Sequence, residues 1–144
     1  MSKGISATGL FCEDFRQEIS GAHTLVGIFS DTITISDVPG LFPKLVAYVR
    51  AGLSLDFKPS GPINIYIVEA TGSRLLVATL SEEMLKKSVS DAKQKGSPAP
   101  GVYCASLSSP FNIPQVGRIS LEMEYEGQTS ALVSIDIKKA AAGS

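Results

Sequence analysis

A thiol beside an imidazole is the sharpest chemistry this sequence could assemble. Cys12 and His23 flank a charged block, Glu13-Asp14-Phe15-Arg16-Gln17-Glu18. A chain reversal near Gln17-Glu18 would set the two opposite one another, where the imidazole could draw off the thiol proton and make a nucleophile. The competing reading buries Cys12 as a small hydrophobe and leaves His23 at the start of a strand. His23 is the only histidine, and no Gly-x-Ser-x-Gly elbow offers a serine nucleophile, so a triad has no local support. Cys12 and His23 are therefore the catalytic candidates, and a cysteine-dependent enzyme ranks last among the functions considered.

Other chemistries find less. Calcium needs carboxylates that converge from a loop, whereas Asp31, Asp37, Asp56, Asp91 and Asp136 stand singly. Two cysteines make no zinc site, and no glycine-rich loop between strand and helix suggests a phosphate cradle. Neither a metal nor a cofactor is expected. Thirteen Lys+Arg against fourteen Asp+Glu leave a net charge of -1. Such a chain has no electrostatic footprint for nucleic acid or anionic membrane.

Binding candidates are Arg16, Arg50 and Tyr48. Arg16 sits among acids, where opposite charges at close spacing usually form a solvated, self-paired surface; the alternatives are a buried ion pair fixing the first hairpin, or a partner contact. Arg50 lies within a long apolar run, either snorkelling from the outer face or anchoring an acidic partner. Tyr48, Tyr66 and Tyr125 read equally as an exposed aromatic patch or as core and rim.

The elements that must position these groups follow a period of two. Leu45, Ala47, Val49, Ala51, Leu53, Leu55 and Phe57 alternate with wetter residues, with Gly52 marking a bulge or bend. Ile63, Ile65 and Ile67 repeat the pattern, as do Ile119, Leu121, Met123 and Tyr125. Ala131, Val133, Ile135 and Ile137 follow beyond Glu126-Gly127, predicting a hairpin. Further strands are predicted at 5–12, 23–29, 32–36 and 102–107. Residues 74–80, apolar on both faces, read as a central or covered strand. Ser81-Glu82-Glu83-Met84-Leu85 opens a helix near 81–95: Ser81 caps it, Leu80 staples to Leu85, and Leu85, Val89 and Ala92 share a face. Gly96 and Pro98 end it. At 144 residues with 44% hydrophobic content, the chain predicts one domain over 1–139 and a flexible tail at 140–144. The fold class is all-β, an antiparallel sandwich of eight or nine strands with one short peripheral helix.

Cys12-Glu13-Asp14-Phe15-Arg16-Gln17-Glu18, then Gly21, then Thr24-Leu25-Val26-Gly27-Ile28-Phe29 resembles an uncharacterised family of small bacterial proteins. These open with a strand ending in Cys-acidic-x-x-Arg-x-Glu. Leu41-Phe42-Pro43-Lys44-Leu45, Gly117 before a strand, and Glu126-Gly127 before a final strand also fit, while 81–100 departs from the pattern in being longer and helix-like. The resemblance implies an immunoglobulin-like or C2-like sandwich; it supplies no activity and carries over no catalytic residue.

No stretch approaches the ~20 apolar residues a membrane span needs, and Ser6, Thr8 and Gly9 interrupt any N-terminal signal. A cytoplasmic chain is expected. By elimination, the leading expectation is a non-catalytic protein-interaction or structural module that binds another protein through a sheet face or edge, and exposed edge strands would also permit self-association. A small-molecule or carbohydrate binder using sandwich loops is the alternative.

Overall fold

The computed structural model describes residues 4–141. Twelve strands and one helix follow in order: β1 Ile5–Cys12, β2 Asp14–Gln17, β3 His23–Val26, β4 Thr32–Ile35, β5 Gly40–Phe42, β6 Leu45–Leu53, β7 Ile63–Val68, β8 Arg74–Leu80, α1 Glu82–Lys95, β9 Gly101–Ser108, β10 Phe111–Ile113, β11 Gly117–Tyr125 and β12 Gln128–Lys139. The fold is an all-β sandwich with one helix. A three-stranded sheet, β1-β6-β9, faces a five-stranded sheet, β4-β12-β11-β7-β8, and two ribbons, β2-β3 and β10-β5, complete it.

Alternation builds the interior. The inward positions Ile63, Ile65 and Ile67 of β7 and Ile119, Leu121, Met123 and Tyr125 of β11 are all buried. From the other layer come Leu45, Ala47, Val49, Ala51 and Leu53 of β6. The layers touch closely at Gly9 of β1, where a Cβ would lie 2.9 Å from both Leu121 Cδ2 and Leu132 Cβ. Any larger residue there would wedge the sheets apart.

The predicted β11–β12 hairpin forms, with Glu126 (φ 51) and Gly127 (φ 75) both left-handed at its turn. The helix begins at Ser81, whose Oγ accepts the Met84 N–H at 3.2 Å, and Gly96 closes it. Leu85, Val89 and Ala92 face inward as read. The Glu82 carboxylate also accepts the Gly61 N–H at 2.8 Å, tying the helix to the loop before β7 and holding that carboxyl below its ordinary pKa.

Several expectations need correction. Among the described residues twelve strands form instead of eight or nine, because β2, β5 and β10 arise in charged or proline-flanked segments that carry no alternation signal. The sheets are not wholly antiparallel: β4 pairs with β12 in parallel. Gly52 makes no bulge, pairing in register with Ser6 and Gly101. The bulges fall elsewhere, opposite Leu121/Glu122 and Ile65/Tyr66. The first carries β12 past Leu132, which turns Ala131 outward and exposed while Leu132 packs on the core. The strand read to Phe57 ends at Leu53; Leu55 is exposed, while Phe57 still packs into the core beyond it. The strand read to Phe29 ends at Val26, leaving a lone bridge between Phe29 and Phe11. β8 is neither central nor covered: it is the edge of its sheet, with Leu75 44% and Leu76 52% exposed. At the far end the Ala140 N–H bonds the Ile35 carbonyl. Residues 142–144 of the predicted tail lie outside the described residues.

Candidate functional site

The outer face of the three-stranded sheet follows from register. Cys12, Leu10 and Thr8 on β1 stand beside Val46, Tyr48 and Arg50 on β6, and Leu107, Ala105 and Tyr103 on β9 lie across from those β6 residues. The β2-β3 hairpin folds over this face. Its pairing sets Arg16 against Thr24 and Gln17 against His23, and its turn closes between Glu18 and Ala22, with the Glu18 N–H bonding the Ala22 carbonyl at 2.8 Å. Phe15 and His23 therefore descend onto Tyr48 and Tyr103. Ring centroids lie 4.0 Å apart for His23–Tyr103, 5.7 Å for Phe15–Tyr48 and 6.2 Å for Tyr48–Tyr103, the last pair only 26° from parallel.

Polar tips lock the cluster. The Tyr48 hydroxyl and His23 Nδ1 share a hydrogen bond of 2.6 Å, and the Tyr103 hydroxyl donates to Gln17 Oε1 at 3.2 Å. Burial raises the Tyr48 pKa, against the opposing pull of the Arg50 charge. Beside the rings opens a cleft of about 620 Å³ lined by Gln17, His23, Tyr48, Arg50, Gly101 and Tyr103 among others. That is the size range of a small-ligand site. The Arg50 guanidinium lies along its floor, with Nε and Nη2 3.7 Å from where a Cβ on Gly101 would stand.

The structure brings three of the sequence candidates, His23, Tyr48 and Arg50, to one cleft. It separates Cys12 from His23. The predicted reversal would have made them neighbours, but β1 pairs with β6, so Cys12 stands against Val46 while His23 stands against Gln17. Cys12 is 0% exposed and its thiol donates to the Asp14 carbonyl at 3.3 Å. Burial pushes its pKa up, the reverse of an activated thiol. The proposed dyad is not formed. Cys104 is likewise free and shifted upward by burial.

Arg16 is 69% exposed with Nε 3.6 Å from Asp14 Oδ2, so the block is solvated and self-paired as its spacing suggested. Asp14 is bonded more firmly to Lys44 Nζ at 2.7 Å, which lowers its pKa. Of the two readings of Tyr48, Tyr66 and Tyr125, core and rim holds, and the three are dispersed. Tyr125 is in the core, its hydroxyl accepting the Ser60 N–H at 2.8 Å, and Tyr66 lies beneath the Arg74 guanidinium at 3.9 Å. Sequence reasoning missed Tyr103 and Phe15. Tyr103 becomes legible only once β6 and β9 are paired across fifty residues, and Phe15 was hidden in the charged block.

Among the described residues, no group of three His, Cys, Asp or Glu side chains could hold a metal ion. No helix among them is long and apolar enough to cross a membrane. Comparison with protein-family models and with curated proteins finds no match to this chain.

Proposed function

We propose that this chain is a non-catalytic interaction module whose recognition surface is the cleft between the β2-β3 hairpin and the outer face of the three-stranded sheet. The observation that carries the reading is the packing of Phe15, His23, Tyr48 and Tyr103 into one cluster, of which His23, Tyr48 and Tyr103 share a cleft with an exposed Arg50. Tyrosine and arginine are the residue types that dominate binding energy at protein interfaces, because each offers large contact area with a directional polar tip. The hairpin also presents Ile19 at its tip, 108% exposed, beside the Gly21 that lines the cleft. A fully hydrated isoleucine is a natural anchor for a partner's apolar pocket. Two free thiols suit a reducing compartment, which supports a cytoplasmic site of action.

The test is co-purification from lysate of the source cells, comparing the unaltered chain with Tyr103→Ala and with Ile19→Ser. A partner retained by the unaltered chain and lost from both variants supports the reading. A retained protein indifferent to both removes the cleft face from consideration.

A second reading, self-association, is favoured by the edge position of β8 and the exposure of Leu75 and Leu76. Light scattering decides it: a dimer that Leu76→Lys converts to monomer supports sheet extension, and a monomer at all concentrations removes it.

A further inference from the structure

We propose that the cleft is a receptor for a carboxylate carried next to a flat apolar group, with Arg50 as the anion contact and Tyr48 and Tyr103 among the aromatic walls. This rests on the reading of the cleft as the recognition surface and names the chemistry it selects.

Charge supplies the first argument. No acidic side chain lines the cleft, and Arg50 is its one permanently charged residue. Among the described residues, Arg74 and Arg118 each reach carboxylates within their own five-stranded sheet, whereas none of the ion pairs uses Arg50. An unpaired guanidinium offers a planar fork matched to a carboxylate, which it can grip with two parallel hydrogen bonds.

Shape supplies the second. Tyr48 and Tyr103 stand diagonally on the neighbouring strands β6 and β9, their rings 26° from parallel, with Leu25 and Val102 adding apolar wall. Both hydroxyls are engaged within the protein, to His23 and Gln17, so the rings are held before any ligand arrives. Such preorganisation removes much of the ordering cost of binding. Gly101 keeps the floor beside the guanidinium clear of any side chain. A flat group held between these walls would carry its carboxylate to Arg50.

The experiment is titration of the 15N-labelled chain with phenylacetate and, separately, with phenylacetamide, which has the same ring and no charge. Phenylacetate is expected to shift the amides of Tyr48, Arg50, Gly101 and Tyr103, and to bind about tenfold more tightly than the amide at low salt. Arg50→Gln should abolish that preference, Arg50→Lys should retain part of it, and Arg74→Gln should leave it intact. Two sources carry this chemistry, a peptide carboxyl terminus and a free aromatic acid. Acetyl-Gly-Gly-Phe with a free terminus separates them: tighter binding than phenylacetate assigns the peptide, and equal binding assigns the free acid. Equal affinity for acid and amide, or an Arg50→Gln variant that binds as the unaltered chain does, overturns the proposal. If Tyr103→Ala loses a protein partner while phenylacetate shifts nothing, the interaction reading stands and the carboxylate inference falls.

Discussion

The two outer faces of this sandwich are made by the same alternation yet spend their polar groups differently. On the five-stranded sheet, Arg74 lies over Tyr66 and reaches Glu122 and Glu124, Arg118 meets Asp136, and Ser120 bonds Ser134. These groups satisfy one another within the sheet, Arg118 and Ser120 with direct cross-strand neighbours and Arg74 by reaching across β7. On the three-stranded sheet a hairpin packs aromatic rings against the face and leaves Arg50 without a carboxylate among the described residues. A face whose charges are already paired gains little from a partner. A face with a free guanidinium and fixed rings has both charge and contact area to offer.

The largest effects should come from the interior that both faces share, where the distinction vanishes. Leu121→Ala is expected to cost about 2–5 kcal/mol in chemical denaturation, since the side chain is fully buried and leaves a cavity. Gly9→Ala sharpens the point from the other layer. Its new Cβ would press on Leu121 and Leu132, so about 1–3 kcal/mol of destabilisation should appear in the same assay. A neutral outcome would mean that the sheets part more easily than their contact at Gly9 implies.

Smaller effects separate the faces themselves. Arg74→Ala removes partly exposed pairs and should lower stability by roughly 0.2–1 kcal/mol, an amount that shrinks as salt is added. Arg50→Ala should leave the melting temperature unchanged, because it surrenders no ion pair. Equal losses at the two positions would erase the contrast drawn between them.

The smallest effect is a pH dependence. Lys44 holds the Asp14 carboxyl below its ordinary value, so the unfolded chain binds that proton first as pH falls. The stabilisation is present above the ordinary aspartate pKa and is lost as pH drops through the depressed folded value. Asp14→Asn should flatten the acid limb of the stability profile, and a profile of unchanged slope would remove Lys44–Asp14 as its cause. Cys12 gives a chemical counterpart: burial keeps it a thiol, so iodoacetamide should modify it only on unfolding.

Much of the interior was legible because the alternation of Ile63-Ile65-Ile67 and Ile119-Leu121-Met123-Tyr125 states which side of a strand is buried. The helix was legible because Ser81, Glu82, Glu83 and Gly96 are local cap signals. What failed was whatever depends on neighbours far along the chain. Leu75 and Leu76 read as covered because both faces of 74–80 are apolar, yet the edge position of β8 exposes them. Ala131 read as inward because a bulge is invisible to a count of two. The site was half visible: Tyr48 and Arg50 are two apart on one strand, and that spacing shares a face. His23 and Tyr103 join them only through the hairpin fold-over and the β6–β9 register, and neither leaves a mark in local sequence.

The account turns on which outer face meets a partner. Quantitative co-purification with Arg50→Glu and Arg74→Glu, each first shown to melt cooperatively, addresses that directly. Loss of the bound partner with Arg50→Glu and retention with Arg74→Glu is the predicted result; retention with Arg50→Glu and loss with Arg74→Glu would contradict it.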